Sequence, residues 1–347
     1  MTTTINQLSQ NKIYAHGSAE LMKFERQLTT YFTREFRQHK GNDILPDLGH
    51  GPIALDPVDL ANDHYNEGLS FFNNFLDNDT MSYTMALFDK DPEKARKSNK
   101  TLSQAQLDKF ELLASRMKLK GKEHLLNFGC GFGFFESYLL NLYPTLKISS
   151  TTHSSDQYMF LTKRMNNPDD SLSSNRFKLF LGEIGPALVK KLQEQKYDIV
   201  SSVGLLEQIN NMEKFFELIS QLLPNNGQMF HHLIVSRDII PQLLDPKKTL
   251  IGKYFPGGKV LSFSTLQKYT FTNFSIQDSW FINGMNYWMT IEKWHENFWR
   301  NIQHIFPEQM GSDRIQYWNN YFVLCKAMFF PENGEAYGNG QYLFVKN

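Results

Sequence analysis

Apolar and polar positions follow two different periods along the middle of this chain. From about residue 123, short and largely apolar runs predict five strands: HLLNF, LKISSTT, FKLFLG, YDIVSSVG and GQMFHHLIV. The stretches between them have the three- to four-residue apolar spacing of helices, near 133–142, from 155, at 185–195 and near 211–223. Because strands alternate with helices, we predict an α/β fold with a doubly wound parallel sheet.

The N-terminal pattern is purely helical. One apolar stripe recurs at three- and four-residue steps through Leu21, Phe24, Leu28, Phe32 and Phe36. We interpret residues 1–60 as an N-terminal helical extension that packs on the main body or on a second subunit. The segment LPDLGHGPIALDP (45–57) breaks the helical pattern with Pro and Gly and reads as a linker.

After about residue 240 the alternation ends. A loop rich in Pro and Gly, KYFPGGKVLS, precedes the strand-like FSIQDSWFING, a helical stretch from about 290 to 330, and a last strand, GQYLFVK. We predict cap elements around 240–330 and closing strands of the same sheet, all within one domain over residues 61–347.

Composition narrows the class of protein. Of 347 residues, 41% are hydrophobic and 14% aromatic, which is ample for a packed core, and 36 basic residues balance 36 acidic ones. With no basic block, we expect no nucleic acid partner. Cys130 and Cys325 form no metal-binding pattern, so we expect no metal and no disulfide. Without a signal-peptide pattern or a membrane-length apolar run, we expect a cytoplasmic protein without stable membrane insertion. A homodimer is the candidate assembly if the N-terminal helix packs on a second subunit.

The segment LLNFGCGFGFFE (125–136) carries the first sign of chemistry. Gly129, Gly131 and Gly133 stand where a predicted strand meets a predicted helix, and glycine lets a ligand approach the backbone closely. The dinucleotide fingerprint GxGxxG is absent, because Phe134-Phe135 stand where its last glycine falls. A ligand other than a dinucleotide is therefore indicated, with a bare tight turn as the alternative.

This loop resembles motif I of class I S-adenosylmethionine-dependent methyltransferases, with Asn127 at the usual acidic position. HYNEGLSFFNNFLDNDTMSYTMALF (64–88) resembles a segment of cyclopropane fatty acid synthases, and YWNNYFVLCKAMFFPENGEAYGNGQYLFVKN is similar to coclaurine N-methyltransferase and its relatives. The resemblance covers roughly residues 60–347. It implies a Rossmann-like class I methyltransferase sheet and S-adenosylmethionine as cofactor.

The same resemblance implies a cofactor site, position by position. The methionine part of the cofactor would be reached by Tyr83 and Thr84 and by the backbone of Gly129 and Gly131. The remaining implied contacts are Thr152, His153 and Gln157 to ribose and adenine, Glu183 and Ile184 beside adenine, and Val203 beneath the sulfonium. Asn127 lacks the charge that would pair with the cofactor's amino group.

Three catalytic candidates also come from the resemblance: Glu207, His232 and Tyr287. Glu207 in VGLLEQIN matches the family glutamate, while Gln208 replaces the histidine that follows it. Tyr287 in NYWMTIEKW matches a family active-site tyrosine, and Met85 replaces the cysteine that helps cyclopropane synthases hold a bicarbonate base.

Two adjacent histidines lie in the fifth predicted strand, and neighbouring strand residues point to opposite faces. FHHLIV aligns His232 with a family histidine, so we expect His232 rather than His231 to face the pocket. A hydrogen-bonded core histidine is the alternative.

These observations favour methylation of a hydrophobic small molecule. We expect N-methylation of an amine, with Glu207 binding the amine and assisting its deprotonation and His232 as a second base. Aromatic residues of the predicted cap, Phe281, Tyr287, Trp288 and Trp294, suit a greasy or cationic substrate. The alternatives are C-methylation or cyclopropanation of an unsaturated fatty acyl lipid or polyketide, and a cofactor-binding protein that has lost catalysis.

Overall fold

The computed structural model describes residues 2–41, 48–53, 68–237, 242–245, 247–269 and 271–347. In this part of the chain the strands are β1 His124–Phe128, β2 Lys147–Thr152, β3 Phe177–Leu181, β4 Ile199–Val203, β5 Gln228–Ser236, β6 Gln242–Leu243, β7 Lys259–Ser262, β8 Phe274–Asn283 and β9 Tyr337–Lys346. The helices are α1 Thr2–Gln10, α2 Ala19–His39, α3 Gly68–Phe72, α4 Pro92–Arg96, α5 Leu102–Arg116, α6 Phe134–Leu142, α7 Ser155–Met165, α8 Pro186–Leu192, α9 Met212–Ser220, α10 Phe263–Lys268, α11 Met285–Arg300, α12 Ile302–Ile305 and α13 Ser312–Phe329.

The predicted parallel sheet is confirmed. Strands β3, β2, β1, β4 and β5 lie side by side and parallel, in that order. The order reverses between β1 and β4, and ligands of open α/β sheets bind outside the carboxyl ends of the strands at this point. The loops that follow β1 and β4 therefore frame the expected site.

Apolar layers cover both faces of the sheet, so its central strands are buried on both sides. On β1, Leu125 packs with α5 and α6, and the adjacent Leu126 packs on the other face with α8, α9 and α10. Period-two alternation of apolar residues within one strand thus supplies both layers. The predicted closing strands are also confirmed, since β9 runs antiparallel to β5 and β8 antiparallel to β9.

A third apolar cluster holds the cap and the N-terminal helix. Trp294 of α11 and Trp318 of α13 lie at its centre, and Phe32 and Phe36 of α2 join it. Phe24 does not follow the predicted stripe: it is 39% exposed, because α2 turns only part of its apolar surface toward the cap. The linker predicted at 45–57 is described only at 48–53, and the boundary predicted at 60/61 lies outside the described residues.

No helix in the described ranges is both long enough and apolar enough to cross a membrane.

A buried ion network fastens α2 to the cap. Lys326 of α13, only 3% exposed, reaches Glu25 of α2 at 2.8 Å and Glu292 of α11 at 2.6 Å. His16 also contacts Glu292, at 2.9 Å. Although burial raises the pKa of Glu292, the contacts with His16 and Lys326 lower it to about 2.

We expect Lys326→Met to destabilise the fold by about 2–3 kcal/mol, since it leaves two carboxylates without their cation. Because folding lowers the pKa of Glu292, this carboxyl stabilises the fold when the pH is above its ordinary pKa of 4.5, and that stability is lost as the pH falls toward 2. Urea unfolding at pH 7 and pH 3 measures both effects. Lys248→Met, at a lysine with an 81% exposed side chain, is the control and should change neither. Equal effects of the two substitutions would contradict the assignment.

Candidate active site

The glycine loop after β1 forms the first wall of the site. Gly129, Gly131 and Gly133 have φ values of 76°, 56° and 76°, a left-handed conformation that favours glycine. At Gly131 an added Cβ would meet no atom within 4 Å, so the backbone there borders open space. Gly133 begins α6 without a side-chain cap, which leaves the N–H groups of the first turn available.

Asn127 belongs to a buried polar network beneath this loop. Its side-chain nitrogen donates to Glu136 Oε1 at 2.7 Å, and its oxygen accepts from Ser201 Oγ at 2.8 Å. Ser150 Oγ also donates to Glu136 Oε1, at 2.9 Å. Burial raises the pKa of Glu136, while its hydrogen bonds with Asn127 and Ser150 oppose that rise. The carboxyl expected at position 127 is therefore replaced by an Asn–Glu pair that joins β1, β2, β4 and α6.

The loop after β4 forms the second wall and contacts the first. A Cβ at Gly129 would lie 3.6 Å from Leu205 Cδ1, and one at Gly204 would lie 3.2 Å from Thr84 Cγ2. The structure thus brings together the glycine loop, the end of β4 beyond Val203, and the segment that carries Tyr83 and Thr84.

The predicted adenosine-binding positions lie at the ends of β2 and β3. Thr152 Oγ1 donates to Gln157 Oε1 at 2.8 Å, which ties the end of β2 to α7. His153 and Glu183 are accessible to solvent and close enough to interact: partial desolvation of the imidazole lowers the pKa of His153, and the charge of Glu183 opposes that shift. Ile184 is partly buried against the apolar layer of α8 and α9. These positions share the sheet edge of the glycine loop.

Glu207 presents a carboxyl at the junction of β4 and β5. It lies in a single 3-10 turn, Leu206–Gln208, and its Oε1 accepts the backbone N–H of Ile234 at 2.7 Å. Its Oε2 is buried and has no hydrogen-bond partner among the described residues. Burial raises the pKa of Glu207 to about 7, although the hydrogen bond from Ile234 opposes the rise. One oxygen is anchored, and the acceptor capacity of the other is unused within the described residues.

His232 lies beside this turn but is held on both ring nitrogens. Its neighbours are Gln341 at Nδ1, 2.9 Å away, and Asn339 at Nε2, 3.1 Å away. Arg116 donates to the Gln341 oxygen, so the Gln341 amide nitrogen donates to Nδ1 and the proton of the neutral ring sits on Nε2. Nε2 donates that proton to Asn339 when the Asn339 amide is oriented with its oxygen, otherwise without a partner among the described residues, toward the ring. Burial, and then the charges of Lys109 and Arg116, lower the pKa of His232 to about 3. This geometry matches the hydrogen-bonded core histidine that was the alternative.

The other histidine points to the opposite face, as expected from strand alternation. His231 Nδ1 lies 2.7 Å from Ser202 Oγ, and its ring packs against Phe215 and Phe216.

Tyrosines of the cap lie close to Tyr83, next to the segment that carries Thr84. Tyr83 donates its hydroxyl to that of Tyr321 at 2.9 Å, and Tyr254 lies 5.6 Å from Tyr321 between ring centroids. Burial, and then Tyr83, Cys325 and Tyr287, raise the pKa of Tyr321, so these groups share one region. Tyr287 stacks on Phe329 at 4.4 Å.

Of the aromatic residues predicted for the cap, Trp294 is part of its core and Phe281 belongs to the sheet. Trp294 is 1% exposed in the cap core, and Phe281 belongs to β8, where it packs against Phe263. Trp288 is partly buried, with its indole N–H unpartnered among the described residues.

Met85 is fully buried among Leu87 and Ile282, with Tyr287 packed against them. It offers no hydrogen-bond donor where the family cysteine would stand.

Several residues of the site escaped the sequence analysis. Lys109 and Gln106 had a signal: they fall on the apolar face of α5, in step with Leu102 and Leu113, where a charged residue is unusual. Tyr321 and Gln341 had none, because an aromatic position in a core helix and a polar position in a closing strand are both common.

The described residues fit S-adenosylmethionine. A left-handed glycine loop with open space at Gly131, an uncapped first turn of α6, and a strand-end hydroxyl at Thr152 are suited to a ligand with a carboxylate and a ribose.

Comparison with known proteins agrees with this geometry. The family model of mycolic acid cyclopropane synthetase matches residues 56–337. Pavine N-methyltransferase of Thalictrum flavum subsp. glaucum is 24% identical over 257 residues, covering 71% of this chain and 70% of that protein. Cyclopropane mycolic acid synthase 3 of Mycobacterium tuberculosis (strain ATCC 25618 / H37Rv) is 26% identical over 218 residues, covering 59% and 70%. The crystal structure of coclaurine N-methyltransferase bound to N-methylheliamine and SAH superposes with a TM-score of 0.72 at 18% identity, covering 99% of this chain and 94% of that one.

The fold and the family together define an S-adenosylmethionine-dependent methyltransferase of class I. The chain belongs to the mycolic acid cyclopropane synthetase family, whose model matches most of its length.

Proposed function

We propose that this chain transfers the methyl group of S-adenosylmethionine to the nitrogen of a hydrophobic amine. The observation that carries this proposal is Glu207, anchored by Ile234 N–H through one oxygen and unpartnered among the described residues at the other. A buried carboxylate is a counter-charge for an ammonium group, and its pKa of about 7 suits proton exchange near neutral pH.

In this proposal the cofactor supplies an electrophilic methyl group, and the residues of the chain align and deprotonate the amine. Glu207 binds the protonated amine and accepts its proton, which frees the nitrogen lone pair. Tyr83, Tyr287 and Tyr321 surround the cation with ring faces and hydroxyls and exclude water. His232 holds its place in the sheet through Asn339 and Gln341, so we assign it a positioning role rather than that of a second base.

The cofactor positions stay a proposal as well. Tyr83, Thr84, Gly129 and Gly131 would hold the amino-acid part, and the ends of β2 and β3 the adenosine, as the resemblance implied. Val203 precedes Gly204, where an added Cβ would lie 3.2 Å from the Thr84 methyl; this proximity to Thr84 supports the place of Val203 beneath the sulfonium.

Relatives named for alkaloid amines match more of this chain than the cyclopropane mycolic acid synthase does, 71% against 59%. Pavine N-methyltransferase and the (S)-coclaurine N-methyltransferase of Papaver somniferum, 23% identical over 259 residues, are named for alkaloid amines. Cyclopropanation is disfavoured by Met85, which has no donor for the bicarbonate that the family cysteine helps to hold.

A direct assay tests the proposal. Purified protein is incubated with methyl-labelled S-adenosylmethionine and either a panel of hydrophobic amines, including coclaurine and pavine, or vesicles of unsaturated phospholipid. We expect label in one or more amines and none in acyl chains, with rates that rise from pH 6 to pH 8 as Glu207 deprotonates. Labelled acyl chains with an unmodified amine panel would establish the lipid alternative instead.

A cytoplasmic location and a homodimer stay predictions. Sedimentation of the purified protein measures the second, and a monomer at micromolar concentration would exclude it.

A further inference from the structure

Lys109 of α5 is a buried lysine with no carboxylate partner among the described residues. Its side chain is fully buried, and its Nζ donates to Ser82 Oγ at 2.6 Å and to Thr84 Oγ1 at 2.9 Å. Among the described residues it forms no ion pair with a carboxylate. Two neutral hydroxyls do not offset the desolvation of an ammonium group, which is costly unless an opposite charge is near.

The charged groups around Lys109 do not complete the balance. Burial lowers the pKa of Lys109 to about 7, and the more distant Asp77 opposes the shift without pairing with it. Asp77 is itself occupied by the backbone N–H and hydroxyl of Thr80. His232 is near enough to interact with Lys109 but is neutral above about pH 3, and the next charge beside His232 is Arg116, a second cation.

The hydroxyls of Ser82 and Thr84 link Lys109 to the segment that borders the proposed site. Ser82 Oγ and Thr84 Oγ1 are 3.1 Å apart, so one donates to the other. Because both accept from Lys109, one hydroxyl proton is left without an acceptor among the described residues and points away from the ammonium. Gln106 donates to the backbone oxygens of Ser82 and Thr84 and fixes the segment, and the Thr84 methyl borders the position of a Cβ on Gly204 at 3.2 Å.

We propose that Lys109 is the counter-charge for the carboxylate of the cofactor's amino-acid part, acting through the hydroxyls of Ser82 and Thr84. This inference rests on the proposed cofactor site. Its consequence is a coupled proton: without a ligand Lys109 is largely neutral at pH 8, and an arriving carboxylate favours the ammonium form. Binding of the amino-acid part therefore takes up a proton above pH 7 and takes up little at pH 6.

Two ligands separate this role from simple support of the fold. S-adenosylhomocysteine carries the amino-acid carboxylate, and 5′-methylthioadenosine has the same nucleoside and thioether without it. For Lys109→Met we expect the Kd of S-adenosylhomocysteine to rise about 10- to 100-fold, as when one partner of a buried charge pair is removed. The Kd of 5′-methylthioadenosine should stay within about twofold, because that ligand has no charge to pair. Lys97→Met, at a lysine with a 77% exposed side chain, is the matched control and should change neither.

Calorimetry of the wild-type protein in two buffers of different ionisation enthalpy tests the proton without any variant. We expect uptake of about one proton per S-adenosylhomocysteine at pH 8, little at pH 6, and none with 5′-methylthioadenosine at either pH. Equal proton uptake on binding of the two ligands, or an equal loss of affinity for both ligands in Lys109→Met, would overturn the role of Lys109 while leaving the cofactor site intact. Failure of the wild type to bind either ligand would overturn the proposed cofactor site, and this inference with it.

Discussion

Glu207→Gln is expected to lower kcat/KM for the amine about 10²- to 10³-fold, the usual contribution of a positioned general base. The amide keeps the oxygen that accepts the Ile234 N–H, so the turn should fold as before. What is lost is the negative charge and the ability to take a proton. The wild-type rate should rise through about pH 7, and the variant's residual rate should lack that rise.

At pH 8 the free energy of unfolding should increase in Glu207→Gln although activity falls, which distinguishes loss of the carboxylate from misfolding. A carboxyl whose pKa is raised on folding contributes stability that is fully present below its ordinary value of 4.5 and is lost as pH rises through about 7. At pH 8 the variant should therefore be more stable than the wild type, by about 1–3 kcal/mol. Glu217→Gln, on the exposed face of α9, is the control for both measurements. Activity near the wild-type level with Glu207→Gln would remove this carboxyl from the mechanism.

Gly131→Ala is expected to weaken S-adenosylhomocysteine binding about 10- to 100-fold, a loss of about 1.4–2.7 kcal/mol. The added Cβ meets no protein atom within 4 Å and projects into the space that we assign to the cofactor. The backbone has φ of 56°, so alanine also costs about 1–2 kcal/mol of stability.

Gly17→Ala separates these two effects. Gly17 has φ of 80° and equally open surroundings, but it lies in the N-terminal extension. It should show a similar loss of stability in urea and unchanged binding in calorimetry. Equal binding by both variants would place the cofactor elsewhere.

The sheet was predictable because its signal is local. Each central strand is a short apolar run bounded by polar or glycine residues, and the alternation of these runs with helical stretches determines a parallel order. The N-terminal helix shows where this reasoning ends: its stripe included Phe24, but whether a residue faces the cap depends on the angle at which α2 meets α13.

The site divides in the same way. Gly129 and Gly131 stand out in the sequence because they follow a predicted strand, and Glu207 was indicated by the family resemblance of VGLLEQIN. The partners that give them chemical meaning come from distant segments: Ile234 for Glu207, Glu136 for Asn127, and Ser82 with Thr84 for Lys109. His232 was expected to act as a base, and only the closing strand β9 reveals the two amides that hold it.

The sequence by itself determined the doubly wound sheet and the glycine loop, because each depends on residues a few positions apart, and its resemblance to known methyltransferases implied the cofactor. The tertiary structure decided which buried groups are paired and which are not. That balance depends on desolvation and on charges brought together from separate helices and strands, so it follows from the packed fold and from no single segment. Packing leaves the Glu207 carboxyl with one unpartnered oxygen and leaves Lys109 without a carboxylate partner among the described residues. Both groups belong to the proposed site, whose glycine loop would by itself indicate no more than a tight turn.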